Sequence, residues 1–274
     1  MNPKALGAWA LAGVTIALAT GNPVYRLLVL LCALNVLIAL HRPTVSLRGL
    51  LVALIVAAAI AVATTTLASH TGVHAFLVLP SGIPVIGGPL TLEAALFGLS
   101  TGVGIAAAVL AAAPLSLVIE PHALVDALPA ALARTGAAIG TALNLIPGIA
   151  RSATEIRDAQ RMRGWRSRRV REWPDLAVPV VLTALEGSIT LAEAMEARGY
   201  GSGTRTHYTE EVWHGAEIVV AAMAIAAAAA FVTLRISGVI SDWYPFPDVT
   251  VPPVSIAGVA CCLALAAPLV VWRR

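Results

Sequence analysis

Long apolar runs, each broken by a short polar or glycine- and proline-containing step, organise this chain. Uncharged windows extend from Ala5 up to Arg26, from Leu27 to Leu40, from Gly49 to Leu92, from Ala94 to Ile119, from Ile218 to Leu234 and from Val249 to Trp272. A helix that crosses a bilayer needs roughly 20 mostly apolar residues. The pattern therefore predicts about six spans, placed near 5–20, 24–40, 49–68, 92–118, 212–234 and 254–272. Between the fourth and fifth, residues 120–210 are of another character, with charges returning every few positions.

Composition agrees with the pattern. Of 274 residues, 58% are hydrophobic and only 12% charged, against about 25% charged in ordinary soluble domains. The expected class is an all-α integral membrane protein with about six transmembrane helices plus a cytoplasmic module of two to three long helices. Its regions are 1–119 (about four spans), 120–210 (the module) and 211–274 (about two spans). Lys4 before an apolar run has the look of a signal peptide, but "ALATGNPVYRLLVLL" re-enters apolar sequence at once, as a tight turn between two spans does. The cysteines, Cys32, Cys261 and Cys262, all lie in apolar windows and read as small buried hydrophobes rather than disulfide or metal ligands.

The placement of charge is more telling than the net value of +3. Eleven of the 18 basic residues, from Arg134 to Arg205, fall within 120–210. Since Lys and Arg concentrate in cytoplasmic loops, this segment is expected in the cytoplasm. Counting spans outward puts Lys4, Arg42, Arg48, Arg273 and Arg274 on the same side and only Arg26 and Arg235 outside. Both termini are then cytoplasmic. On the other side, "SGIPVIGGP" (81–89) and "SDWYPFPDVTVPP" (241–253) read as loops, with Trp243 and Tyr244 suited to the headgroup level.

Within 120–210 three helices are expected. The first is "PHALVDALPAALART" (121–135), with leucines at spacing four. The second turns amphipathic after Ile149. The third runs from Pro174 to Gly199, with Leu182, Leu185, Ile189, Ala192 and Glu196 at three-and-four spacing. The second and third close alike. "EIRDAQRMRG" ends Arg161-Met162-Arg163-Gly164, and "LAEAMEARG" ends Glu196-Ala197-Arg198-Gly199. A single such ending reads as ordinary termination, glycine taking the left-handed conformation and arginine offsetting the helix dipole. Two, 35 residues apart and joined by the basic turn "WRSRRVREW" (165–173), suit a partner with two equivalent acidic pockets. Arginine fits that task because its planar fork grips carboxylates bidentately and stays charged.

With these residues in view, the chain resembles the transmembrane T component of energy-coupling factor (ECF) transporters, along nearly its whole length. "NPKALGAW", "NPVYRLL", "HRPTVSLRGLL" and "GGPLTLEAAL" look like that family's first spans and their connections. Ala197-Arg198-Gly199 matches its Ala-Arg-Gly coupling ending in full, and Met162-Arg163-Gly164 matches with methionine for alanine. The resemblance implies a non-enzymatic scaffold in a prokaryotic cell membrane, with no cofactor of its own. Its partners would be two cytoplasmic ATP-binding subunits, gripped through Arg161, Met162, Arg163, Gly164, Glu196, Ala197, Arg198 and Gly199, and a substrate-binding membrane subunit that takes up a vitamin or transition metal. The alternative is a self-contained carrier or membrane-embedded enzyme, which calls for a titratable cluster within the bilayer.

Other residues read more plainly. His70 and His74 stand four apart but next to an outer loop with no evident carboxylate, and read as solvated. His122, His207 and His214 read as caps or surface residues, and Glu93, Glu120 and Glu217 lie at span ends. Glu186 and Glu193 are candidates to pair with arginines of the preceding helix. Gly98, Gly102 and Ala106 have the spacing of a close helix–helix contact. No phosphate-binding loop or nucleophile elbow is present. The "WRSRRVREW" turn reads as a contact for anionic lipid headgroups rather than nucleic acid.

Overall fold

A computed structural model of the chain describes residues 2–40, 47–69, 72–78, 88–119, 122, 125, 132–165, 173–200 and 213–271. His70, His207, Glu120, most of the 121–135 segment, most of the 165–173 turn and most of the 81–89 loop lie outside these residues. The chain divides into two compact units, Met1–Glu120 with Val212–Arg274, and Pro121–Glu211.

The first unit is a helical bundle. Helices α1 (Pro3–Ala19), α2 (Pro23–Leu40) and α3 (Leu47–Ala68) come first. A short antiparallel ribbon follows, β1 (Ala75–Val78) paired with β2 (Pro89–Thr91), and leads into α4 (Leu92–Val118). After the second unit the chain returns as α7 (Gly215–Ile236), α8 (Ile256–Ala264) and α9 (Ala267–Val271). The helices start where the sequence supplies caps. Asn2 accepts from the Lys4 amide at 2.9 Å ahead of Pro3, and Thr91 accepts from the Ala94 amide at 3.4 Å ahead of Glu93. Each cap satisfies one of the amides that a helix start leaves unbonded.

Helices α1, α2, α4 and α7 enclose the core, where Leu6, Trp9, Ile16, Tyr25, Val29, Val36, Leu37, Val220 and Phe231 are almost wholly buried. Tyr25 meets Phe231 edge-on at 5.6 Å, and its hydroxyl oxygen accepts from the Ser255 amide at 2.7 Å. Small residues set the spacings between helices. A methyl added at Gly98 would lie 2.8 Å from the Val62 Cα and collide with the Thr65 hydroxyl, and one at Gly102 would lie 3.0 Å from the Ala58 Cα. The Gly98-Gly102 face is thus where α3 and α4 meet backbone to backbone, which is how helices attract one another in lipid.

Among the described residues, four of the six expected apolar stretches form helices long and apolar enough to span: α2, the Arg48–Ala68 part of α3, the Leu92–Leu117 part of α4, and α7. Helix α1 is apolar but shorter, at 17 residues. The last stretch, expected as one span over 254–272, breaks into α8 and α9 instead. Pro268 has no amide to bond back one turn and disfavours helical geometry before it. The break falls at Leu265–Ala266, and the Leu265 carbonyl freed there accepts from the Trp9 indole at 2.8 Å. At nine residues, α8 reaches about 14 Å, less than half a hydrocarbon core. Conversely, Pro174–Ala197, expected within the cytoplasmic module, meets the length and hydropathy of a span. The class is an all-α integral membrane protein.

The second unit contains α5 (Ala133–Met162, 30 residues) and α6 (Pro174–Ala197, 24 residues), which pack on one another. Helix α6 buries none of its residues; Val178, Val181, Leu182, Leu185 and Ile189 are each more than half exposed.

Candidate coupling surface

Helices α5 and α6 end in the same hydrogen-bonded structure. At the end of α5 the Gly164 amide donates to the Arg161 carbonyl at 3.0 Å, and the Trp165 amide donates to the Gln160 carbonyl at 3.0 Å. At the end of α6 the Gly199 amide donates to the Glu196 carbonyl at 2.9 Å, and the Tyr200 amide donates to the Met195 carbonyl at 2.9 Å. Both are Schellman closures, with glycine in the left-handed region, at φ +87° for Gly164 and +72° for Gly199. The arginine before each glycine adopts nearly the same backbone, φ −84°, ψ 8° at Arg163 and φ −87°, ψ 4° at Arg198. The shared Arg-Gly ending has produced nearly the same geometry twice.

The consequence is two rigid cationic tips. Arg163 and Arg198 are exposed, as are Arg161, Gly164, Glu196, Ala197 and Gly199, and Met162 is 85% exposed. Arg161 lies 3.8 Å from Asp158 one turn back. Among the described residues neither Arg163 nor Arg198 stands within salt-bridge range of a carboxylate, so each fork is free for a partner. An aromatic residue follows each glycine, Trp165 and Tyr200, at the position where a Schellman closure folds back onto its own helix. The signal was present in sequence as "RGW" and "RGY". Each ending thus carries, within three residues, an arginine and an aromatic residue, types that concentrate binding energy in protein interfaces.

A family model described as CbiQ, cobalt transport protein, matches residues 3–208. The chain belongs to the CbiQ family. This is the family of T components of ECF transporters, so the chain is a multi-pass membrane component of a transport system. No curated protein matches it. The CbiQ match takes in α1 to α6, including both Arg-Gly endings, and leaves α7 to α9 outside.

Elsewhere in this CbiQ-family chain the structure revises several expectations. His74 has a carboxylate after all. Its Nδ1 lies 2.8 Å from Glu93 Oε1, which also accepts from the His74 amide at 3.1 Å, and the Glu93 side chain is fully buried. Nineteen residues separate them, a pairing made only when the β ribbon folds back on the start of α4. Glu217 is likewise buried rather than merely terminal. It accepts from the Asn2 amide at 2.8 Å and fastens the start of α1 to the start of α7, with His214 as the α7 N-cap residue. His122 is exposed. Glu186 and Glu193 are exposed, and among the described residues they form no ion pair with the arginines of α5; those arginines find Asp158 locally instead. Trp243, expected at the headgroups, is buried and donates to the Thr250 carbonyl at 2.7 Å, whereas Tyr244 is 62% exposed. Cys32 and Cys262 are buried and all three cysteines are free.

Proposed function

We propose that this chain is the coupling subunit of an ECF-type importer. Arg163 and Arg198, on the twin closures of α5 and α6, dock into two cytoplasmic ATP-binding subunits, and the helices carry ATP-driven motion to a separate membrane subunit that binds a vitamin or transition metal. The observation that carries this reading is the duplication. Two helix ends share the same two hydrogen bonds, a left-handed glycine and an exposed arginine that, among the described residues, has no carboxylate within salt-bridge range. A pair of equivalent tips suits a pair of equivalent grooves. Membership of the CbiQ family supports the role, and the excess of basic residues within 120–210 supports a cytoplasmic location for the tips, with both termini on that side. Coupling of this kind needs a contiguous stiff element between the two sites, and helices of 30 and 24 residues, about 45 and 36 Å long, supply one. Hydrolysis of ATP then belongs to the partners.

The test replaces Arg163 and Arg198 with glutamate, singly and together, and measures both co-purification with the ATP-binding subunits and uptake. A hydrogen bond to a charged group contributes roughly 1.5–3 kcal/mol, so each single change should weaken the complex about 10- to 100-fold. The double change should abolish complex and uptake while membrane insertion stays intact. Full complex formation and full uptake in the double variant would reject docking through these tips.

A further inference from the structure

The ribbon between α3 and α4 is apolar, exposed and fixed in place. Val73, Phe76, Leu77 and Val78 are 65%, 59%, 55% and 71% exposed, and every residue of β1 is exposed. Neighbouring strand residues point to opposite faces, so Leu77 and Val78 leave both faces of β1 uncovered. From Ser69 to Leu92 the sequence contains no Asp, Glu, Lys or Arg. A two-stranded ribbon of this kind is at best marginal in water.

Its base is nevertheless anchored firmly. Leu90 and Thr91 of β2 are buried, the Leu92 amide donates to the His74 carbonyl at 3.0 Å, and the buried Glu93 carboxylate takes two hydrogen bonds from His74. Gly72, at φ +145°, fits only because it lacks a side chain: a methyl there would lie 2.9 Å from the Thr91 hydroxyl. The strand that is apolar on both faces is therefore held in one position rather than left to collapse onto the bundle.

A cluster of rings marks its level relative to the bilayer. Phe97, Tyr244 and Phe246 meet with centroids 5.2 to 6.0 Å apart, and Tyr244 is largely exposed. Phe97 is four residues along α4 from Glu93, about 6 Å of helix rise. Exposed tyrosine among apolar rings is the composition that settles at headgroup depth. The ribbon thus sits within a helical turn of the interface, at the end of two span-length helices.

We propose that this ribbon is a membrane-interface anchor: β1 lies in the boundary between headgroups and acyl chains, with the Phe97–Tyr244–Phe246 cluster beside it and the His74–Glu93 contact holding it at that depth. Lipid suits the ribbon better than a protein partner because a docking surface covers one face of a strand, whereas this strand is apolar on both. Among the described residues β1 pairs with β2 alone, and a strand edge without backbone partners belongs at the hydrated boundary rather than in the hydrocarbon. The interface takes elements of this kind by burying apolar side chains about 5–10 Å below the headgroups.

The test uses the full chain in lipid nanodiscs, with Cys32, Cys261 and Cys262 changed to alanine and a fluorescent thiol probe at Phe76→Cys, Leu77→Cys or Val78→Cys. Met162→Cys serves as the aqueous control. We expect ribbon probes to be quenched more by lipids carrying a spin label near the headgroup than by lipids labelled deep in the chain. Iodide should reach them several-fold less than the control, on the order of threefold or more. Adding Glu93→Ala should raise iodide access at Leu77→Cys without changing the control. Iodide quenching equal to the control, or shielding from iodide with no quenching by either lipid, would overturn the proposal, the second outcome pointing to a protein contact.

Discussion

Gly148 within α5 and Gly164 just past its end permit a sharp test of how the Arg163-Gly164 closure is built. A methyl added at either would meet no atom within 4 Å, so steric crowding drops out of the comparison. Only backbone conformation differs. Gly148 lies within the helix, and Gly164 sits at φ +87°. Alanine at 148 should stabilise the helix by roughly 0.5–1 kcal/mol, the usual glycine penalty removed. Alanine at 164 gains a similar unfolded-state benefit of about 0.4–1 kcal/mol. Against that stands the cost of the left-handed conformation, roughly 1–2 kcal/mol for a residue with a Cβ. The net effect is a loss near 0.5–1 kcal/mol, opposite in sign to the change at 148. At RT of about 0.6 kcal/mol this multiplies the frayed fraction of the α5 end by about two to five.

Hydrogen exchange reads this out directly, because the Gly164 and Trp165 amides close the motif on Arg161 and Gln160. In Gly164→Ala these two amides should exchange about two to five times faster than in the parent, and in Gly148→Ala no faster. Asparagine, which tolerates positive φ, should restore slow exchange as Gly164→Asn. If the tips must be rigid to transmit force, uptake should follow the same order: Gly148→Ala at parental rate, Gly164→Asn close to it, Gly164→Ala below both. Equal exchange and equal uptake for Gly148→Ala and Gly164→Ala would refute the claim that glycine is needed at 164 for its conformation.

Two further outcomes follow from packing and charge in the first unit. Gly98→Leu should drive α3 from α4, since even a methyl there lies 2.8 Å from the Val62 Cα; we expect a loss of about 1–3 kcal/mol or more in thermal unfolding in detergent, with Gly102→Ala milder because its nearest contact is 3.0 Å. Asp242→Ala should loosen the α1–α2 turn, because Asp242 accepts from the Gly21 amide at 2.7 Å and pairs with Arg235, which also donates to the Ala19 carbonyl at 3.0 Å. Both partners are partly exposed, so the cost should be about 1 kcal/mol, seen as faster amide exchange at Gly21 with the Gly98–Val62 contact unaffected.

What sequence discloses about this chain follows the range of the physics involved. The α5 and α6 endings were legible because a Schellman closure is local: six residues, one required glycine, and no contribution from elsewhere in the chain. The Gly98-Gly102 contact was half legible. The spacing showed a smooth helix face, but alanine-rich helices offer many such faces, and only the position of Val62 and Ala58 chooses one. Long-range polar pairs were not legible at all. His74 meets Glu93 across 19 residues and Glu217 meets the Asn2 amide across 215, and nothing in either local sequence names its partner. The break within the apolar stretch at 254–272 was not legible for a related reason. Hydropathy sums over a window and does not register that a single Pro268 interrupts it, while the Trp9 indole, more than 250 positions away, makes that interruption affordable in a low-dielectric setting by bonding the exposed carbonyl. The same logic separates the two halves of the functional reading. The tips are short, self-sufficient and written in the chain. What they grip depends on another molecule's surface, and so it is the charge-reversal experiment at Arg163 and Arg198, rather than any finer reading of α5 and α6, that decides whether these two cations are handles or simply well-made helix ends.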